Sequence, residues 1–397
     1  MMIEGLREGI AQVAFVDHHV HAPYKRGHEI SLDEFRRPFT EASIPAVWTE
    51  NIQTLIGYRW MVRELARLLA CEPNENAVLA ARNGMEAVPY HRLLANAANL
   101  GACYADDLFG FGQCYDIDAW AEMIGRPVER VLRVETFVEQ GYAACETLDD
   151  ALERLTREIA SPARRLVSLK SIAGYRSGLA FDPPSRVQRQ SAATAYRELR
   201  DSVLIPPKGR PEYSALGTFP GRIAAKPLVD TIVWTALEAA APKGLPMQFH
   251  VAFGDDDIIM TKNDPTLMRA LFAHEPFRAV PLVLLHCYPF QRQAGYLAGT
   301  YPNVYMDLGL TIPIVGPGAA TVLAETLELC PTRQLIASTD GHMEPEFQWF
   351  SIFVWRWALT RVLGQYIEGD ILDTDAALSV ARTILHDNAT RIYRMGT

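Results

Sequence analysis

Short apolar runs recur along the chain and alternate with longer stretches in which apolar residues return every three or four positions. The short runs are apolar almost throughout, which predicts β-strands buried on both faces, and the longer stretches predict amphipathic helices. Strands that alternate with helices in this way are typical of a parallel sheet with crossover connections. The eight runs that predict strands are 12–17, 101–106, 130–135, 165–170, 245–250, 281–286, 303–308 and 334–339.

Helices are predicted over 51–70, 75–99, 226–241 and 319–329. Eight parallel strands with intervening helices predict an α/β protein, namely a single closed (β/α)8 barrel of the TIM type that forms one domain over 1–397. Two connections, at about 22–100 and about 180–225, are too long for ordinary crossovers. Since both follow the carboxyl end of a strand, we expect helical insertions above the face where barrel enzymes carry their active sites.

The composition of the chain restricts the classes of function and partner that are expected for it. The chain has 397 residues, is 49% hydrophobic and 21% charged, and carries a formal net charge of -9. It has no long basic run, which argues against nucleic acid as a partner, and no long uncharged apolar stretch, which argues against a membrane and favours a cytoplasmic location. The six cysteines are scattered without a CxxC pair, so we expect reduced, mostly buried thiols.

Polar side chains stand where the predicted strands end. In a closed parallel barrel these ends converge on one face, although the residues are far apart in the chain. Imidazole, carboxylate and lysine groups together are typical of a divalent metal site with open coordination positions. The predicted metal-binding residues are His19, His21, Lys170, His250, His286 and Asp340.

The histidines of the first strand can be assigned to faces. In an extended strand, residues two apart point the same way, so His19 and His21 should face the barrel interior together. By the same alternation, His18 should point with Val20 towards the helical layer and either support the ligands from behind or serve in packing. Any one strand-end histidine has an ordinary structural explanation, but five strands that carry such groups at the same end favour a metal site.

Several motifs appear in the order of a known family, including "DHHVHA", "SLKSIAGYRSGL", "QFHVAFGD", "VLLHCYPF", "VYMDLGL", "STDGH" and "DNATRIYRM". From about residue 14 to 395 the sequence resembles the amidohydrolase superfamily, in its amidohydrolase-2 or FluG-type branch. The resemblance implies that His19 and His21 bind the deeper metal with Asp340 beside the substrate. It also implies that His250 and His286 bind a second metal or position the substrate.

The same resemblance implies that Lys170 is carboxylated and bridges two metals. As a free ammonium it would instead hold a substrate carboxylate beside a single metal. A further group could orient ligands or bind substrate. Glu135 is a candidate ligand or orienter, with an ion pair to Arg133 or Arg176 as the alternative. The other members of this group are Tyr175, Arg176, Gln248 and His342.

One or two divalent ions (zinc, manganese or iron) would lower the pKa of a bound water towards about 7, and Asp340 could take up its proton. With Asp340, Lys170 and His286 as catalytic residues, this favours hydrolysis of a C–N bond in a small molecule, such as an amide or a γ-glutamyl amide. Three alternatives stay open: an O2-dependent dinuclear iron or manganese–iron monooxygenase that N-hydroxylates small amines, a non-oxidative decarboxylase, and an inactive structural partner. We expect a homo-oligomer, or a hetero-oligomer with a paralogous subunit.

Overall fold

The strands form one parallel sheet whose order in space is their order in the sequence. The structure is a computed structural model that describes residues 2–25, 28–204 and 221–393. Each strand pairs in parallel with the next along the chain. The strands are β1 (Phe15–Val20), β2 (Leu100–Asp106), β3 (Val128–Arg133), β4 (Leu166–Ser171), β5 (Met247–His250), β6 (Leu282–Leu285) and β7 (Val304–Met306).

The eighth predicted strand, 334–339, is not a regular strand. It makes one isolated parallel bridge to β7. Beyond that bridge, the Ala337 N–H donates to the Ile384 carbonyl at 3.0 Å, and the Thr339 N–H donates to the Asp17 side chain at 2.9 Å. These donors are therefore not available for a ladder with β1. In the described part of the chain the sheet has seven regular strands, and a closed eight-stranded barrel is not confirmed.

The two faces of the sheet bury different residues. One face packs under the helices in the larger apolar cluster. The other face carries a smaller cluster of alternate strand residues, including Val16, Tyr104, Val131 and Leu285, which is covered by the segment 389–393. Burying each large apolar side chain contributes about 1.5–3 kcal/mol. The smaller cluster therefore stabilises the part of the sheet that lies beneath the polar residues at the strand ends.

Helices connect the strands and form the insertions. The predicted helix over 75–99 is two helices, because the Pro89 ring would clash with the carbonyl of Met85 in a continuous helix and Gly84 ends the first one. The α-helices are α1 (Met2–Gln12), α2 (Leu32–Arg36), α3 (Ile56–Leu68), α4 (Glu75–Asn83), α5 (Ala87–Ala97), α6 (Ile117–Ile124), α7 (Val134–Glu139), α8 (Leu148–Ala160), α9 (Arg189–Leu204), α10 (Lys226–Ala240), α11 (Arg269–Phe272), α12 (Gln291–Thr300), α13 (Thr311–Val315), α14 (Ala319–Leu327), α15 (Pro345–Glu368), α16 (Thr374–Arg382) and α17 (Asn388–Ile392).

The first insertion, 22–100, contains α2 to α5, and a buried arginine joins it to the segment that follows Asp340. Arg82 of α4 lies 2.8 Å from Glu344 and 2.9 Å from Glu346. The second insertion, 180–225, contains α9, and its part over 205–220 lies outside the described residues. The first insertion is thus tied by buried charges to the polypeptide that carries a predicted site residue.

Two expectations from composition can be compared with the structure. All six cysteines are free thiols and four of them are buried, as predicted. Among the described helices, none combines the length and the apolar character that a membrane crossing requires.

Candidate metal centre

Three of the predicted ligands meet at the carboxyl end of the sheet. The Nε2 atoms of His19 and His21 lie 3.1 Å and 3.3 Å from the same oxygen, Oδ1 of Asp340. All three side chains are buried, and their potential ligand atoms lie within 4.8 Å of one another. β1 supplies His19 and leads directly into His21, while the irregular segment after β7 supplies Asp340. The three groups are close enough to share one ion.

The proton on His19 can be placed from its neighbours. The amide nitrogen of Gln248 donates to the His18 carbonyl at 2.7 Å and to the Tyr393 hydroxyl at 2.9 Å, so its oxygen Oε1 must be an acceptor. This oxygen lies 2.9 Å from His19 Nδ1, which therefore carries the proton. The lone pair of His19 is consequently on Nε2 and faces Asp340.

The arrangement suits a divalent cation. Burial, with the charge of Lys170, lowers the pKa of His19 to about 3, so this imidazole is neutral at pH 7. A neutral imidazole lone pair and a carboxylate oxygen repel each other unless a cation or a proton lies between them. Within the part of the chain that the structure describes, Asp340 Oδ1 is buried and has no hydrogen-bond partner, although it faces two imidazoles. The residues present therefore fit a metal ion bound by His19, His21 and Asp340.

Lys170 adjoins this cluster. It is buried, and its Nζ lies 3.0 Å from His19 Nε2. Burial lowers its pKa to about 8, against the opposing effect of Asp340 and Asp106. A carbamate and an ammonium both suit this position, so the carboxylation of Lys170 stays a prediction.

Backbone conformation contributes to the placement of Asp340 and His286. Their φ angles are 52° and 71°, in the left-handed region that residues with a Cβ seldom adopt. Such a conformation costs on the order of 1–3 kcal/mol and persists where surrounding contacts enforce it. The Asp340 N–H donates to the His19 carbonyl at 3.0 Å, and the His286 N–H donates to Asp307 Oδ1 at 2.5 Å. Hydrogen bonds to neighbouring residues thus hold the backbone of both residues in the left-handed conformation.

The charge state of Asp340 follows from its surroundings. Burial opposes its ionisation, but the interaction with His286 outweighs burial and holds its pKa well below the usual range. His342 contacts the same residue, because its Nδ1 lies 2.6 Å from the Asp340 carbonyl. Burial lowers the pKa of His342 to about 4, and its Nε2 has no hydrogen-bond partner. Asp340 is therefore anionic at neutral pH, with the neutral His342 ring beside it.

His286 lies beside the cluster with the opposite tautomer. Its Nδ1 accepts the Leu310 N–H at 3.2 Å, so the proton of the neutral ring is on Nε2. That nitrogen lies 3.7 Å from Asp340 Oδ2 and has no hydrogen-bond partner. In this state His286 is a hydrogen-bond donor and not a ligand.

His250 lies on the other side of His286, with 4.8 Å between the ring centroids. Its Nε2 donates to the Phe253 carbonyl at 3.0 Å, which leaves the lone pair on Nδ1. Neither His250 nor His286 belongs to the three-residue cluster. That they bind a second metal stays a prediction.

The predicted direction of the His18 side chain is wrong. His18 does not face the helical layer: its Nδ1 lies 2.9 Å from the Tyr393 hydroxyl and its Nε2 lies 3.0 Å from Asp307 Oδ2. The pairing of β1 with β2 changes register between Asp17 and Val20, and this irregularity interrupts the alternation of side chains. His18 and His19 can therefore both point to the inner face.

The predicted ion pair of Glu135 is also wrong. Glu135 accepts hydrogen bonds from the Ser171 hydroxyl at 2.6 Å and from the Ile172 N–H at 3.2 Å. Arg133 instead pairs with Asp106 at 2.7 Å. Glu135 thus binds the residues directly after Lys170 and lies outside the metal cluster.

Arg176, the other suggested partner of Glu135, lies 3.8 Å from Glu139. Its Nε is buried and has no hydrogen-bond partner. The neighbouring Tyr175 donates from its hydroxyl to Glu41 at 2.7 Å, and its ring centroid lies 4.0 Å from that of His250. Both predicted substrate residues therefore stand beside the centre.

A cavity of about 450 Å³ opens above the cluster. The insertions bring charges of both signs to its wall. Burial raises the pKa of Glu41 there to about 8, with Asp340 adding to the effect. No spacing rule marks these wall residues, because they come from irregular segments. Charged wall residues that the sequence did not single out include Arg37, Glu41, Arg222 and Asp255.

Comparison with known proteins identifies the class. A family model described as amidohydrolase, of the amidohydrolase-2 type, matches residues 204–395. A crystal structure from Lactobacillus casei ATCC 334, provisionally described as a metal-dependent hydrolase, superposes with a TM-score of 0.85 at 25% identity and covers 98% of this chain and 97% of that one. A uronate isomerase from Bacillus halodurans C-125 gives a TM-score of 0.63 at 11% identity over 99% and 96% of the two chains, which shows a shared fold alone.

These matches confirm the predicted resemblance to the amidohydrolase superfamily, in its amidohydrolase-2 or FluG-type branch. It is 27% identical over 426 residues to Protein fluG of Emericella nidulans. This match covers 99% of the chain and 47% of fluG, so the chain spans about half the length of that relative. Members of the superfamily generally use divalent metal ions, and the His19, His21 and Asp340 cluster provides such a site.

Proposed function

We propose that the protein is a metal-dependent hydrolase that cleaves a C–N bond, in an amide or a γ-glutamyl amide of a small amine. The observation that carries the proposal is the buried cluster in which His19 Nε2 and His21 Nε2 lie within 3.3 Å of Asp340 Oδ1. When bound there, a zinc, manganese or iron ion would polarise the scissile carbonyl and lower the pKa of a bound water towards about 7.

Asp340 is the proton carrier of this proposal. Its carboxylate is anionic at neutral pH, and Oδ1 has no hydrogen-bond donor of its own. It can take a proton from the attacking water and pass it to the departing nitrogen. His286 supports the same step, because its Nε2–H has no partner and can donate to the carbonyl oxygen as negative charge develops there.

Substrate selection falls to the cavity wall. The buried Arg176 Nε has no hydrogen-bond partner among the described residues and suits a carboxylate, such as that of a glutamyl group. Phe109, whose ring lies 4.2 Å from that of His21, and Trp48 provide apolar surface for the amine portion. A small bifunctional molecule with an anionic end is thus the proposed substrate.

Metal content and activity together test the proposal. Purified protein would be analysed for bound metals, stripped with a chelator, reloaded with one metal at a time, and assayed against simple amides and γ-glutamyl amides with and without oxygen. We expect hydrolysis that depends on metal and survives without oxygen. The Asp340→Asn variant should lose at least about 100-fold in kcat, because proton transfer of this kind contributes 10²–10⁴-fold.

The exposed Asp118 provides the matched control, since its Asp→Asn change removes the same charge far from the cavity and should leave activity intact. Strict dependence on oxygen with an iron-loaded protein would overturn hydrolysis in favour of the monooxygenase. Release of carbon dioxide would favour the decarboxylase. A chain that binds no metal and stays inert would favour a structural partner.

A further inference from the structure

A buried chain of hydrogen bonds connects the C-terminal part of the described chain to the metal centre. Tyr393, which directly follows α17, is 3% exposed. Its hydroxyl lies 2.9 Å from both His18 Nδ1 and Gln248 Nε2, and Gln248 Oε1 lies 2.9 Å from His19 Nδ1. Only one side chain, Gln248, separates Tyr393 from His19.

The hydrogen bonds of this network run in one consistent donor-to-acceptor direction. The two N–H groups of Gln248 are taken by the His18 carbonyl and the Tyr393 oxygen. The Tyr393 oxygen accepts one hydrogen and donates its own to His18 Nδ1, which places the single proton of the neutral His18 ring on Nε2, 3.0 Å from Asp307 Oδ2. Rotating the Gln248 amide by half a turn would set its NH2 group against a donor on His19 and its oxygen against the His18 carbonyl.

We propose that Tyr393 is a positioning residue of the metal centre, which acts through Gln248 to keep the proton of His19 on Nδ1 and the lone pair on Nε2. The inference rests on the proposed metal site. Without the tyrosine hydroxyl, one of the two contacts that fix the amide orientation is lost. The amide could then rotate and donate to Nδ1, which favours a proton on Nε2, where the ligand lone pair is needed. Groups that orient ligands in this way typically change metal affinity by about 10–100-fold.

The neighbouring Tyr104 offers a matched control. Its ring centroid lies 4.9 Å from that of Tyr393, on the same face of the sheet. Its hydroxyl is buried and has no hydrogen-bond partner. The Tyr→Phe changes at positions 104 and 393 therefore each delete one buried hydroxyl from the same layer, and only the change at 393 interrupts the chain to His19.

The first measurement is zinc affinity, by competition with a chromophoric chelator on the metal-stripped full chain. We expect Tyr393→Phe to bind zinc about 10–100-fold more weakly than the parent, and Tyr104→Phe to stay within about twofold. Gln248→Leu removes the intermediate group and should reproduce the loss if Tyr393→Phe fails to fold. Equal zinc affinity of Tyr393→Phe and the parent, or an equal loss in Tyr104→Phe, would overturn the proposal.

The second measurement needs no metal. Two-bond ¹H–¹⁵N NMR spectra of the stripped protein, with histidine labelled, report the tautomer of each imidazole. We expect His19 to be protonated on Nδ1 in the parent and in Tyr104→Phe, and to show a mixture in Tyr393→Phe. An unchanged His19 tautomer in Tyr393→Phe would contradict the inference while leaving the hydrolase proposal intact. A parent chain that binds no zinc would instead contradict the proposed function, and the two failures are thus distinct.

Discussion

Replacement of Arg82 by methionine should strongly destabilise the protein. The arginine side chain is 2% exposed and lies 2.8 Å from Glu344 and 2.9 Å from Glu346, which are also buried. Burial opposes the charge of Arg82, but the two glutamates outweigh it and raise the pKa of Arg82. Methionine would fill similar space and remove the cation that lies 2.9 Å from the buried Glu346 carboxylate.

The size of the effect can be bounded in two ways. Removing one partner of a buried ion pair costs about 3–5 kcal/mol. A buried carboxylate that has lost its cation can also be neutralised by taking up a proton, which for an ordinary glutamate costs about 4 kcal/mol at pH 7. We therefore expect Arg82→Met to lose roughly 3–5 kcal/mol of unfolding free energy at pH 7. The loss should shrink towards pH 5, because protonation becomes less costly as the pH falls.

Urea unfolding at pH 7 and pH 5 checks this prediction. The control is Arg157→Met, which breaks the exposed pair with Glu153 at 3.5 Å and should cost less than about 0.5 kcal/mol. A loss below about 1 kcal/mol for Arg82→Met, or a loss that does not depend on pH, would refute the reasoning. The first insertion would then be held to the site by packing and not by charge.

Three further outcomes are expected. Gly309→Ala should lose about 1–3 kcal/mol in urea unfolding, because the new Cβ would collide with the Ser338 hydroxyl, whereas Gly364→Ala meets only ordinary contacts and should be neutral or slightly stabilising. Chelation of the bound metal should lower the thermal midpoint of the parent and leave that of His21→Ala unchanged. Arg176→Gln should raise KM for an anionic amide by at least about tenfold with little change in thermal midpoint, and an unchanged KM would remove Arg176 from substrate binding.

Much of the sheet could be predicted because its strands are buried on both faces. The run 165–170 corresponds to Leu166–Ser171, and 101–106 corresponds to Leu100–Asp106. α15 could not be predicted from periodicity, because 15 of its 24 residues are buried and it lacks a distinct polar face. The segment 334–339 has the apolar character of a strand, but the Ala337 and Thr339 N–H groups bind the Ile384 carbonyl and the Asp17 side chain instead of a neighbouring strand's backbone.

For the site, the convergence of His19, His21 and Asp340 follows from their places at strand ends. The inward turn of His18 does not, because it depends on a register change that no residue type signals. Glu41 comes from an irregular part of the insertion, so no spacing pattern in the sequence could have identified it as a site residue. Metal identity, the carboxylation of Lys170 and oligomeric state stay predictions.

The contact between β1 and the segment around Asp340 also affects when the metal centre can form during folding. Asp17 and Thr339 bond to each other although they are 322 positions apart. Closing a loop of that length costs about 5 kcal/mol of chain entropy, and contacts of such separation form slowly. During synthesis on the ribosome, His19 and His21 are present in the nascent chain long before Asp340 is added. Metal binding by all three ligands is therefore expected to report the formation of this long-range contact, after Asp340 has been synthesised.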